Sequence, residues 1–83
     1  MSTELQKVIR SFCQLIPENK IGEYSSNALD DKRLKLIYDT AILIGEDIRP
    51  QHIIDCLKEC HPNIADEVIV ECADSAFKHM LTL

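Results

Sequence analysis

Eighty-three residues, 46% hydrophobic and 28% charged, are the ordinary composition of one globular domain spanning 1–83, and not that of a disordered chain. The net charge of −5 lies entirely in the C-terminal half, where Glu46, Asp47, Asp55, Glu59, Asp66, Glu67, Glu71 and Asp74 face only Arg49, Lys58 and Lys78. That field repels nucleic acid and anionic lipid and suits a basic protein partner.

The longest apolar run, Ala41-Ile42-Leu43-Ile44, falls far short of the roughly 20 residues a bilayer requires, so neither a signal peptide nor a membrane contact is expected. The four cysteines sit within helical patterns rather than in a disulfide-type framework. They are read as reduced thiols in a cytoplasmic compartment.

In chain order, Thr3 and Gln6 have capping-box spacing, and Leu5, Val8, Ile9, Phe12, Leu15 and Ile16 form one apolar face up to Pro17. A loop over about 17–27 follows, with Gly22, Ser25 and Ser26, and with Ile21 and Tyr24 as its anchors. A second helix over about 28–44 carries the stripe Leu34, Ile37, Tyr38, Ala41, Ile42 and ends at a Gly45 cap. Leu36 and Leu43, seven apart, lie on the opposite side at about 100° per residue. The helix is therefore either central, covered on both sides, or it meets another chain through Leu36 and Leu43.

Pro50 opens a third helix over 50–60, with Ile48 and Ile53 at hydrophobic-staple spacing and Ile53, Ile54, Leu57 and Cys60 facing inward. Pro62 closes it. The fourth, over 64–81 with Asn63 as its cap, has an unbroken stripe of Ala65, Val68, Ile69, Cys72, Ala73, Ala76, Phe77 and Met80. No segment alternates with period two. The expected class is all-α, a compact bundle of four helices.

Chemistry is scarce in this pattern. His52, Cys56 and Cys60 are spaced i, i+4, i+8 on helix three, and with Cys13 or Cys72 they could supply zinc ligands or a redox pair. Structural zinc sites place such cysteines on turns, however, and free cysteines commonly pack as small hydrophobes. No metal or other cofactor is therefore assigned. The single Cys-x₃-Cys lacks the second pair of the twin Cys-x₃-Cys proteins. The segment "LKECHPNIADEVI" is faintly similar to a CUE domain but has Cys60-His61 where that family has Met-Phe.

Cys60 and His61 are adjacent and point apart, and Gly22 and Gly45 form no phosphate loop, so an enzyme is not expected. The basic cluster Lys32, Arg33, Lys35 reads as a solvated face balanced by Asp30, Asp31 and Asp39, and not as a nucleic-acid site.

What remains is charge. Glu67 and Glu71, with Asp74 beyond, and Asp55 with Glu59, place like charges at i, i+4, offset in part by Asp55–Lys58 and Asp74–Lys78. Such a local conflict suggests a use. The expectation is a non-enzymatic interaction domain, an acidic inhibitor or adaptor. It would bind a basic protein through Asp55, Glu59, Glu67, Glu71 and Asp74, with Val70 or Leu81 at the margin. The alternative is a homodimeric structural subunit joined through Leu36 and Leu43.

Overall fold

The computed structural model describes residues 3–17, 21 and 31–83. Its helices are α1 (Thr3–Leu15), α2 (Asp31–Ile44), α3 (Pro50–Cys60) and α4 (Asp66–Met80), with no strand among the described residues. The protein is all-α. The expected start of the second helix at 28–30, and the loop with Gly22, Tyr24, Ser25 and Ser26, lie outside the described residues. The loop's other expected anchor, Ile21, is buried.

Each helix meets two others. α1 packs on α2 and α3, and α4 packs on α3 and α2, so α1–α3–α4–α2 is a closed ring with α1 diagonal to α4 and α2 diagonal to α3. One continuous core fills it. Leu5, Ile9, Phe12 and Cys13 come from α1, Leu34, Ile37 and Ala41 from α2, Ile53, Ile54 and Leu57 from α3, and Ile69, Cys72, Ala73, Ala76 and Met80 from α4. The Cα radius of gyration is 11.6 Å, against about 11.8 Å for a well-packed chain of this length, so surface exposure here does not reflect loose packing.

The helix ends explain the bounds. At Gly45, φ is +74°, and the Gly45 N–H donates to Ile42 O (3.2 Å) while Glu46 N–H donates to Ala41 O (2.9 Å). These are the two bonds of a Schellman motif, which needs a left-handed residue at this place. Pro50 occupies the first turn of α3, and Arg49 N–H donates to His52 Nδ1 at 3.2 Å, so an imidazole stands where a capping box has Glu or Gln. Ile48 packs on the core that contains Ile53, at the spacing of a hydrophobic staple.

Several expectations need correction. Asn63 does not cap α4: the chain turns through 62–64, Ile64 N–H donates to His61 O, and Ala65, expected on the buried stripe, is the exposed N-cap with no side-chain bond. Asp66 and Glu67 in the first turn still favour the dipole. Leu15 is exposed and Cys13 takes the buried place, because α1 turns the side of Leu5, Ile9 and Cys13 toward its two neighbours. Ile42 is exposed as well, at the rim of the α2 stripe.

Side chains tie the ring at its corners. His61, at the end of α3, is buried with Nε2 3.3 Å from Cys13 O near the end of α1. His79 Nε2 lies 2.6 Å from Asp31 Oδ1, joining the end of α4 to the start of α2. Arg33 Nη1 donates to Ser11 Oγ between α2 and α1.

A Cβ built on Gly45 meets nothing within 4 Å, so any cost of Gly45→Ala comes from backbone conformation alone. Denaturant unfolding should show Gly45→Ala destabilised by about 1–2 kcal/mol, and Gly45→Asn by less, since asparagine tolerates left-handed geometry.

Candidate functional site

Two places stand out on the surface. The first is α2. With only α1 and α4 as neighbours, this helix is not central, and its outer face is uncovered. Leu36 is 51% exposed, Ile42 62% and Leu43 85%. The physical reason is arithmetic: in a ring of four, no fifth helix is left to cover it.

Beside this crest runs a shallow groove of about 190 Å³ lined by Tyr38, Ala41, Ile42, Ile48, Phe77 and Leu81, with Glu46 and Asp47 on its lip. The Schellman turn at Gly45 puts those two acids there, and α4 supplies Phe77 and Leu81 from the far wall. Sequence reasoning placed Leu36 and Leu43 on this face but missed the groove, which joins residues about 40 positions apart. Leu81 was the only one of its residues flagged for exposure.

All five expected acids are exposed. Those of α3 are partly engaged: Glu59 Oε2 accepts from Arg10 Nη2 at 2.8 Å, and Asp55 Oδ1 accepts from Gln51 Nε2 at 2.7 Å. Lys58 lies 3.7 Å from Asp66 of α4 and not with Asp55, so it sits across the α3–α4 seam. Glu67, Glu71 and Asp74 remain as an acidic edge on α4.

The second place is the α1–α3 seam. A groove of about 270 Å³ is lined by Gln6, Ile9 and Arg10 of α1 and by His52, Asp55, Cys56 and Glu59 of α3. Cys56 lines it half-buried, and the thiols that act on it are those of Cys13, across the seam, and of Cys60, one turn on. The Cys13 hydrogen bond, with help from the Arg10 guanidinium, holds the Cys56 thiol down at about 7 against the ordinary 9.0, burial opposing.

Its partners move the other way. Cys13 is pushed well up by donating to Cys56 and by burial, and Cys60 is raised by burial and by the charge on Cys56. Cys72, buried in α4, is raised to about 11 by burial alone. All four cysteines are free. Among the described residues no group of three or more His, Cys, Asp or Glu side chains is arranged to hold a metal ion. Sequence spacing found Cys56 and Cys60 and offered Cys13 and Cys72 equally as partners; the choice of Cys13, and the part of Arg10, were beyond it, because nothing in a single sequence says which helix faces α3.

Thiolate is the reactive form of cysteine, so reactivity follows ionisation. Iodoacetamide should alkylate Cys56 before the other cysteines of the native protein. Its rate should rise through a midpoint at about pH 7 and not near the ordinary 9.0, with the midpoint moving up in Arg10→Gln. Peptide mapping across a pH series reads both. No helix among the described residues is long and apolar enough to cross a membrane. Searches against protein-family models, curated proteins and solved structures return no match to this chain.

Proposed function

We propose that this chain is a non-enzymatic protein-interaction domain that docks a partner on the outward apolar face of α2 and in the groove beside it. The observation that carries this reading is the 85% exposure of Leu43 at the crest of an ordered helix, flanked by Ile42 and Leu36. Covering one leucine side chain is worth about 1.5–3 kcal/mol, so a clustered face of this kind is a natural interface centre.

The groove accepts an apolar side chain between Tyr38 and Phe77, and Asp47 at its lip favours a basic neighbour to that side chain. Glu67, Glu71 and Asp74 extend the acidic field along α4. Such charge acts on encounter rate and partner choice more than on the final grip. An inhibitor or an adaptor within a larger assembly fits this division of labour. Free thiols throughout suit a reducing, cytoplasmic compartment.

A second reading has its own support. Leu36 and Leu43, seven residues apart, are both exposed on one helical crest, the geometry of a self-complementary two-fold interface.

Affinity capture from the source cell should be run with wild type, Leu43→Glu, and the triple charge reversal of Glu67, Glu71 and Asp74 to lysine. The wash should be at roughly 0.5 M salt, where exposed charge contacts are screened within a few ångströms. The expected result is a partner retained in salt, lost at least about tenfold with Leu43→Glu, and captured more slowly by the triple reversal. Capture by Leu43→Glu equal to wild type would refute the α2 interface. Sedimentation separates the second reading: a wild-type dimer that becomes a folded monomer in Leu36→Glu plus Leu43→Glu makes a second copy the occupant.

A further inference from the structure

The α1–α3 seam offers a chemistry that α2 does not use. Cys56 lines an open groove together with Arg10, while Cys13, the thiol of α1 that acts on it, is fully buried. A solvent-borne reagent therefore meets Cys56 before Cys13. We propose that Cys56 is an oxidant-sensitive modification site, at which a hydroperoxide entering the groove oxidises the sulfur and Cys13 resolves the product as a disulfide joining α1 to α3.

The chemistry balances. The Cys56 thiolate attacks one peroxide oxygen, the O–O bond breaks as an S–O bond forms, and the leaving oxygen takes a proton and departs as water, or as an alcohol from an organic hydroperoxide. Sulfur is oxidised by two electrons and the peroxide is reduced. The Cys13 sulfur then attacks the Cys56 sulfenic acid, the S–O bond breaks, and the Cys13 proton leaves with the hydroxyl as a second water. The groups around the reacting sulfur are cationic Arg10, anionic Glu59 and Asp55, His52, and the thiols of Cys13 and Cys60. Arg10 favours the thiolate. Glu59, bonded to Arg10 at 2.8 Å, opposes it more weakly than Arg10 favours it.

Geometry selects Cys13 over Cys60 as the resolving thiol. Residues i and i+4 of one helix hold their Cβ atoms about 5–6 Å apart, whereas a disulfide requires about 3.5–4.5 Å, so a Cys56–Cys60 bridge must distort α3. Facing residues on helices packed at about 8–10 Å between axes have Cα atoms roughly 3.5–5.5 Å apart, which overlaps the disulfide range. Cys13 and Cys56 lie on two helices that pack directly on one another, and Cys13 is the group that acts most strongly on the Cys56 thiol, so it is the thiol across the seam placed to bridge.

The test uses the wild-type chain: a small molar excess of hydrogen peroxide without reductant, alkylation of remaining thiols, proteolysis and mass mapping. The expected product is a Cys13–Cys56 cross-linked peptide with Cys72 still free. The melting temperature should rise by several degrees and return on treatment with dithiothreitol. In Cys13→Ala, Cys56 should instead accumulate as a sulfenic acid trapped by dimedone. Cys60→Ser, which leaves the seam intact, should still form the bridge. A wild-type product bridged Cys56–Cys60, Cys56 carried on to sulfinic acid without a bridge, or first oxidation at Cys60 would each overturn the proposal.

Discussion

Enclosing one core within a ring of four helices decides what each helix can offer to water. Every helix spends one stripe on its two neighbours, and what lies on the far side must be tolerated by solvent or met by another molecule. α1, α3 and α4 answer mostly with polar side chains such as Lys7, Gln51, Asp55, Glu71 and Lys78, with Leu15 and Val70 as isolated exceptions. α2 answers with lysines in its first half and with Leu36, Ile42 and Leu43 after them. The same enclosure that buries Leu34 and Ile37 leaves those three outside, so the proposed interface is a by-product of how the core is closed.

The seam between α1 and α3 shows the same logic at the level of single atoms. Packing two apolar stripes together brings Cys13 against Cys56, and one thiol can donate to the other only by giving up its own ionisation. Cys13 is thereby kept protonated while Cys56 is made acidic, a division of roles that neither residue has alone. Arg10, held by Glu59, adds charge at the rim where water reaches. Reactivity here is a property of the helix pair.

Much of the fold was legible in the sequence because the signals were local. Gly45, Pro50 and Pro62 mark helix ends by backbone chemistry that no tertiary context reverses, and the stripes of α3 and α4 recur every three or four residues. Asn63 misled because a capping side chain competes with a turn, and here the turn through 62–64 won. Leu15 misled because a face about 100° wide is fixed only when the neighbouring helices are known. The candidate sites were half legible for the same reason: Leu36, Leu43, Cys56 and Cys60 are visible within one helix, whereas Phe77 beside Ile42, and Cys13 beside Cys56, exist only after the chain has closed.

The hydrogen bond from His61 to Cys13 O has a bearing on how the chain gets to its fold. It closes 48 residues of sequence, whereas α3 and α4 are joined by a turn of five. Loop closure costs grow with length, so the α3–α4 hairpin is the cheaper of the two closures. The last turn of α1 meets that hairpin on a single atom: Ile16 N–H (3.4 Å) and His61 Nε2 (3.3 Å) both approach Cys13 O, so a local bond and a closure of 48 residues share one acceptor.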